Sequence, residues 1–504
     1  MSEPTGRKLR SLLGDSFYVA FGSYATQGFS LLINLVLVRK LSLANYGLYS
    51  VMLSTYAMGT LLLSLGAMPI VQRYLPELIA TGNKRGAIQL KRIAAGIHLV
   101  AGLLIAGICW GFQEPLARWL NAPEFPQLLP FFFLFMLFKF EASVFEEMLT
   151  AHRSQKYRNL SLAAFQAVKF ALYWLALPQD GSIQTAMLYL VLSNALLLGL
   201  MMVRALGLDR ELQDETDAPL PWRRMIRYGL LRYTTTLTVV GFFADIDIWF
   251  ITHYHDTEAA GLYGFATKNV HMLANLVPTH FLLTVLVPVY VREYTKRQDP
   301  QQLVRVFAFF NKIVTAFLAP TLVGSLLLAS PITSLVFDPK FLPSVPAFRV
   351  FFLGMFVFYF CNTSSFLLVV LERPEITLYS RIFVIYNIIM DIVLIPPYGI
   401  MGAAIATGSA MAMGYIFSYL MLKRVISVRI PWGATFRTFA YSAIMGLAVW
   451  PFLALGWITS VPRLLAVIGL GVLIYGLLAW RLPVFSRDER EHLNGALRRR
   501  VFPV

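Results

Sequence analysis

The hydrophobic positions of this sequence fall in long uninterrupted segments, separated by short polar stretches. No charged residue occurs from Leu99 to Trp110 or from Phe131 to Phe138, and comparable runs recur along most of the chain. A transmembrane helix needs about 20 apolar residues, because it rises about 1.5 Å per residue through a hydrocarbon core about 30 Å thick. The pattern therefore predicts an all-α polytopic membrane protein, whose helices satisfy their own backbone hydrogen bonds.

About fourteen segments have the length of a membrane span. The spans 158–178 and 261–289 are less regular, because each is interrupted by a lysine, Lys169 or Lys268. The predicted spans are 13–38, 46–70, 93–112, 127–150, 158–178, 183–203, 228–252, 261–289, 304–329, 344–371, 376–396, 400–422, 433–457 and 462–480.

Composition and charge fit the same picture. Hydrophobic residues make up 57% of the chain and charged residues 14%, whereas a soluble domain has roughly 45–50% and about 25%. The net charge of +16 does not require nucleic acid as a partner, because basic residues concentrate in cytoplasmic loops of membrane proteins. With both termini in the cytoplasm, the inside loops hold about 30 Lys and Arg and the outside loops about 5. This asymmetry predicts cytoplasmic N- and C-termini.

An internal repeat predicts how the spans are grouped. Asn45–Ser50 (NYGLYS) matches Ala259–Gly264 (AAGLYG) at an offset of 214, and Arg73–Glu77 (RYLPE) matches Val289–Glu293 (VYVRE) at an offset of 216. The repeat predicts two parallel six-helix lobes with a central cavity between them. The predicted organisation is an N-terminal lobe at 1–203, a cytoplasmic linker at 204–227, a C-terminal lobe at 228–422, and two further helices with a basic tail at 423–504.

Three short motifs carry a family resemblance. They are Gly47-Leu48-Tyr49 at the start of the second span, Arg73–Glu77 after it, and Pro397–Thr407 (PYGIMGAAIAT) at the twelfth. With these motifs the chain resembles Wzx-type polysaccharide flippases (O-antigen and exopolysaccharide exporters) of the multidrug/oligosaccharidyl-lipid/polysaccharide (MOP) exporter superfamily. The resemblance implies fourteen helices in two lobes that alternate between inward-open and outward-open states.

The resemblance also implies the cargo and its setting. The expected cargo is an undecaprenyl-pyrophosphate-linked oligosaccharide, moved across the bacterial inner membrane, with a polysaccharide polymerase or chain-length protein as a further partner. Two alternatives stay open within the superfamily: a flippase for the lipid-linked peptidoglycan precursor, and a cation-coupled multidrug exporter. A membrane glycosyltransferase or polymerase is disfavoured, because the outer loops are too short to build an active site. The protein is therefore predicted not to be an enzyme.

Charged residues inside the predicted spans are the candidate functional groups, since each costs about 2.5–3.5 kcal/mol at mid-membrane. Lysine ammonium groups suit a pyrophosphate because their hydrogen bonds to phosphate oxygen are charge-assisted. Structural ion pairs between neighbouring helices are the alternative for each. The cationic candidates are Lys139, Lys169, Lys268, Lys312 and Arg381; the acidic ones are Asp245, Asp247, Asp391 and Glu141; the polar ones are His271 and Asn275.

Because the sequence lacks a Walker A motif, energy for uphill cycling is expected to come from a proton or sodium gradient, or from consumption of the product outside. Asp245 is the first candidate for coupling, since Thr234, Thr238, Gly241 and Asp245 form one stripe of a helix. Asp391, four residues after Asn387, is the second. No cofactor and no metal site are predicted. The metal-ligand types in His253–Asp256 and the D-x-D pattern of Asp245–Asp247 have no supporting residues elsewhere in the sequence.

Overall fold

The computed structural model describes residues 5–63, 66–179, 181–212, 216, 218–237, 244–276, 300–371, 373–482, 484–487, 489–491 and 494. These residues form seventeen α-helices and no strand, so the all-α prediction is confirmed. Contacts divide the chain into two compact units, Met1–Gly261 and Leu262–Val504. The predicted lobe boundaries at 203 and 228 remain a prediction.

The first unit contains ten complete helices among its described residues, and α11 begins in it. They are α1 (Thr5–Lys40), α2 (Leu43–Leu63), α3 (Ala67–Ala80), α4 (Lys84–Gly111), α5 (Gln113–Trp119), α6 (Phe125–Ala151), α7 (Gln155–Ala171), α8 (Ile183–Arg210), α9 (Trp222–Leu237), α10 (Ala244–Tyr254) and α11 (Thr257–Leu276). Helix α6 packs against α4 and α8, α1 packs against α7, and α2 packs against α10.

The second unit continues α11 and contains six further helices in its described part. They are α12 (Pro300–Pro331), α13 (Val345–Val370), α14 (Pro374–Tyr379), α15 (Ile382–Val425), α16 (Trp432–Ala454) and α17 (Val461–Arg481). The largest packing surface lies between α13 and α15, and α12 packs against α13 and α16. Gly354 and Gly408 let α13 and α15 approach closely, because a β-carbon on Gly354 would overlap the backbone of Gly408.

Eight helical stretches among the described residues are long and apolar enough to cross a membrane. They are Lys84–Gly111, Phe125–Ala151, Ile183–Arg210, Leu303–Phe337, Pro339–Ser365, Ile382–Val425, Trp432–Ala454 and Val461–Arg481. The multi-pass prediction is therefore confirmed, while the number fourteen stays a prediction.

One glycine divides a predicted span, and another lies at a predicted boundary between two spans. The predicted span 46–70 is divided into α2 and α3, with Gly66 at φ 77° before α3. By contrast, the predicted span 400–422 and most of 376–396 are two helical stretches within α15 that join at Gly399, with φ 54° and ψ −133°. The two stretches run back along each other, because the hydroxyl oxygens of Tyr386 and Ser409 are 3.3 Å apart, so the predicted boundary between these spans is confirmed. Both glycines adopt backbone angles that L side chains rarely allow.

Lys40 at the end of α1 fixes the position of α7. Helix α7 is followed by a π-helical turn at Leu172–Ala176, which leaves terminal carbonyl groups without helical partners. The Lys40 ammonium donates hydrogen bonds to the carbonyl oxygens of Trp174 at 2.7 Å and Tyr173 at 3.3 Å. A cation at the carboxyl end of a helix is favourable for the helix dipole as well.

Candidate functional site

The charged residues of α6 form a cluster in the first unit. Lys139 and Glu146 are seven residues apart and therefore lie on one face of the helix. The Glu146 carboxylate accepts a hydrogen bond of 2.5 Å from Nη2 of Arg158 on α7, and both side chains are largely buried, at 18% and 26% exposure. Lys139 lies within electrostatic range of Glu146. The Glu146 carboxylate is therefore hydrogen-bonded to one cation, Arg158 of α7, and lies near a second, Lys139 of α6.

Further polar groups surround this pair. The Tyr56 side chain on α2 interacts electrostatically with Glu146, and Glu147 is hydrogen-bonded by the side chain of Gln72 on α3. Nε of Arg158 is buried and has no hydrogen-bond partner among the described residues. The sequence did not single out Arg158, because it begins a predicted span and resembles an ordinary basic loop residue.

The other two candidates of this region have different surroundings. Glu141 is half-buried, and its Oε1 atom lacks a hydrogen-bond donor within the described part of the chain. The Lys169 ammonium lies over the rings of Phe165 and Tyr173, 5.8 and 5.9 Å from their centroids. Aromatic faces attract a cation, so these two rings contribute to stabilising Lys169.

Asp245 and Asp247 lie on α10, which packs against α2. Asp247 is fully buried, whereas Asp245 is half-buried and lies within electrostatic range of Asp247. The rest of the predicted stripe, Thr234, Thr238 and Gly241, has side chains outside the described residues. The structure therefore places two acids together in the first unit but does not test the stripe.

The His253–Asp256 motif is engaged in contacts between loops. His253 stacks on Trp119 with ring centroids 4.6 Å apart, and its Nδ1 lies 2.6 Å from the Trp119 carbonyl oxygen. Asn121 donates to the His255 carbonyl at 2.6 Å, and Asp256 accepts from the Ala259 amide at 2.7 Å. Among the described residues, no group of three metal-ligating side chains occurs. The motif holds the segment before α11 to the segment after α5.

In the second unit the acid Asp391 is paired with an amide. Both Asn387 and Asp391 are fully buried on α15, and Nδ2 of Asn387 donates a hydrogen bond of 2.6 Å to Oδ2 of Asp391. Oδ1 of Asn387 has no donor in the part of the chain that the structure describes. A carboxylate beside an unfilled amide oxygen is a donor set suited to a hard cation or a proton.

The predicted cations of the second unit fall into two groups. Lys312 is already bound, because Glu489 accepts from its ammonium at 2.9 and 2.8 Å. Arg381 is half-buried and lies within electrostatic range of Tyr415. Lys268 on α11 is half-buried and has no ion-pair or hydrogen-bond partner among the described residues.

The two polar candidates also lie on α11. His271 is exposed, and its ring packs edge-on against Phe351 with centroids 5.8 Å apart. Asn275 belongs to α11, and its side chain lies outside the described residues. Lys268, His271 and Asn275 therefore share one helix, as the spacing predicts.

An additional cluster, which the sequence did not reveal, joins α4, α6 and α8. The buried Lys91 ammonium contacts the carboxylate of Asp209 and lies 2.7 Å from Nε2 of His152. Burial, together with the charge of Lys91, lowers the pKa of His152 to about 4. His152 is therefore neutral at physiological pH and can accept a hydrogen bond from Lys91.

Comparisons with known proteins identify a family and a shared fold for this chain. The sequence model of a family described as polysaccharide biosynthesis protein matches residues 12–293. An uncharacterized membrane protein of Methanocaldococcus jannaschii, MJ1068, is 32% identical over 98 residues, which are 19% of this chain and 19% of that protein. The chain thus matches about a fifth of the length of this curated relative.

Two solved structures share the fold over most of the chain. A lipid II flippase MurJ in an inward closed conformation has a TM-score of 0.71 at 13% identity, covering 95% of this chain and 99% of that one. An inward-facing multidrug resistance MATE family transporter of the MOP superfamily has a TM-score of 0.65 at 16% identity, covering 80% and 94%. At these identities the likeness shows the fold. The family model covers more than half of the chain, so the chain belongs to the polysaccharide biosynthesis protein family, and its described part has several helices long and apolar enough to cross a membrane.

Proposed function

We propose that the protein moves an undecaprenyl-pyrophosphate-linked oligosaccharide from the cytoplasmic to the outer leaflet of the bacterial inner membrane, by alternating access. The N- and C-termini lie in the cytoplasm in this proposal, and a polysaccharide polymerase or chain-length protein acts on the exported product. Membership of the polysaccharide biosynthesis family supports the sugar component of the cargo. The protein itself catalyses no reaction.

The observation that carries the proposal is the presence of half-buried cations without a hydrogen-bonded counter-ion. Lys139 on α6 and Lys268 on α11 both lack a hydrogen-bond acceptor among the described residues. Holding a bare ammonium inside a membrane protein is costly unless a charge or water meets it during function. A pyrophosphate offers several charged oxygens for this purpose.

Lys312 enters this proposal differently. Its ammonium is bound by both oxygens of Glu489, and the two side chains are 16% and 21% exposed. Lys312 can therefore contact cargo only after this ion pair has opened. Lys169 and Arg381 remain proposed cargo contacts, together with the polar groups of His271 and Asn275, which suit sugar hydroxyls.

Reconstitution tests this function directly. Proteoliposomes with the purified protein are expected to move an undecaprenyl-pyrophosphate oligosaccharide, and Lys139→Ala and Lys268→Ala should each lower cargo affinity about ten-fold or more, because each removes a charge-assisted hydrogen bond. Lys340→Ala is the matched control, since Lys340 forms an ion pair with Asp338 at 3.6 Å. Full transport by both variants would refute a cargo-binding role for these two lysines. Preferred transport of the peptidoglycan lipid precursor would replace the proposed cargo with that alternative.

Coupling to an ion gradient is proposed for the acids. Asp245 remains the first candidate, because it is half-buried near a second carboxylate. Asp391 is the second, and the unfilled Oδ1 atom of its partner Asn387 supports a cation or proton there. Asp247 and Glu141 are proposed as further acids of the transport pathway. The coupling ion is a proton or sodium ion.

A further inference from the structure

The ion pair between Glu146 and Arg158 uses one of the two N–H donors on one edge of the guanidinium group. Nε and Nη2 of an arginine lie on one edge and donate two parallel hydrogen bonds, which match two oxygens of a carboxylate or phosphate. Here Glu146 accepts from Nη2 at 2.5 Å, while Nε is buried without a partner among the described residues. A buried donor left unfilled costs about 1–3 kcal/mol.

A second cation faces the same carboxylate. Lys139 lies within electrostatic range of Glu146 but forms no hydrogen bond with a described residue. Glu147, the next acid on α6, is hydrogen-bonded by the side chain of Gln72 and lies within electrostatic range of Arg158 as well. Glu146 is the carboxylate that is hydrogen-bonded to Arg158 and also lies near Lys139, although it fills the donors of neither cation completely.

These contacts describe a site that an anion with more oxygens would fill better. A pyrophosphate can occupy both Nε and Nη2 of Arg158 and still reach an ammonium group, which a single carboxylate does not do here. The side chains are 26% exposed at Arg158 and 18% at Glu146, so the pair is accessible although most of its surface is buried.

We propose that Glu146 is an exchangeable counter-ion: it holds Arg158 and Lys139 when the carrier is empty, and the pyrophosphate of the cargo displaces it and binds both cations. The proposal rests on the proposed function and assigns Arg158 to that site as a binding residue. When the cargo leaves, Glu146 rebinds Arg158. This exchange keeps the cations neutralised throughout the cycle and favours release, because the carboxylate competes with the bound pyrophosphate.

Binding of undecaprenyl pyrophosphate to the full-length protein in lipid nanodiscs tests the exchange. Glu146→Gln removes the competing charge, so the affinity for the probe should rise about ten-fold while transport of the complete cargo slows. Arg158→Gln should lower affinity about ten-fold or more, and Arg158→Lys should recover only part of it, because lysine keeps the charge without the two-donor edge. Arg73→Gln and Glu77→Gln are controls, since this exposed pair has a similar separation of 2.8 Å and should leave affinity unchanged.

The outcomes separate this inference from the function on which it rests. A wild-type protein that binds the probe while Glu146→Gln shows equal or weaker affinity would overturn the exchange and leave the flippase proposal intact. A wild-type protein that neither binds the probe nor moves the lipid-linked oligosaccharide would overturn the proposed function itself. Loss of fold in Arg158→Gln does not blur the result, because the tighter binding of Glu146→Gln requires a folded protein.

Discussion

Gly47, in the first turns of α2, lies against the first turn of α11. A β-carbon built on Gly47 overlaps the carbonyl oxygen of Thr257, lies 2.7 Å from its carbonyl carbon, and lies 3.1 Å from the Gly261 amide nitrogen. Gly261 in turn has no room for a β-carbon, which would be 2.7 Å from the Leu43 carbonyl oxygen. The two glycines that the repeat pairs in sequence thus contact each other within the first unit.

The size of the perturbation follows from these distances. An ordinary contact of a β-carbon with backbone is 3.4 Å or more, so Gly47→Ala must push the two backbones apart by more than an ångström. Overpacking of this kind costs about 1–3 kcal/mol, partly offset by the roughly 0.5–1 kcal/mol that alanine gains over glycine in a helix. A net loss of about 1–2 kcal/mol would reduce the population with α2 and α11 in contact by about ten-fold.

Disulfide trapping between cysteines placed on α2 and the first turn of α11 measures this population. Gly47→Ala should lower the trapped fraction strongly, and Gly261→Ala should lower it less, because its β-carbon overlaps the opposing backbone less closely. Gly28→Ala is the control, since nothing lies within 4 Å of its β-carbon. Equal trapping in Gly47→Ala and Gly28→Ala would show that the close approach does not hold these helices together.

Three further predictions follow from single contacts. The pKa of His152 is lowered to about 4 from 6.5, so the unfolded state binds more protons than the folded state between these pH values. The free energy of unfolding should therefore fall as the pH drops from about 6.5 to about 4. In thermal unfolding measured against pH, His152→Gln should flatten this dependence. Glu489→Gln should speed tryptic cleavage after Arg487, because the tail loses its ion pair with Lys312; an unchanged rate would mean that packing alone holds the tail. Asp245→Asn should bind cargo but lose its response to an imposed proton or sodium gradient, and a normal response would remove Asp245 from coupling.

The membrane-spanning helices can be predicted from the sequence, because each depends on the composition of one continuous segment. Length and apolarity decide whether a helix can span a bilayer, and runs such as Phe131–Phe138 show both directly. The sequence predicts the break at Gly399, which lies between the spans 376–396 and 400–422, but it does not predict the break at Gly66. A glycine in an apolar run can be a packing contact, as at Gly408, or a point of positive φ, as at Gly66, and only the surrounding chain distinguishes these.

The candidate site was accessible only in part, because an ion pair depends on two helices at once. The spacing of Lys139 and Glu146 places them on one face of α6, but it says nothing of Arg158, which comes from α7. For Lys312 the sequence likewise does not reveal the ion-pair partner. Its position inside a span marks it as a cargo contact, whereas its partner Glu489 comes from the segment after the last helix.

The mixture of charges in this protein has a consequence for how a lipid-linked anion can be moved. A cavity with cations alone would bind a pyrophosphate tightly, and tight binding to both states moves nothing, because a ligand shifts a conformational equilibrium only through its differential affinity. A carboxylate beside the cations, such as Glu146 beside Arg158, lowers affinity and supplies a competitor in the empty state. Removing that carboxylate should therefore improve binding and impair turnover together, a combination that a purely structural ion pair would not give.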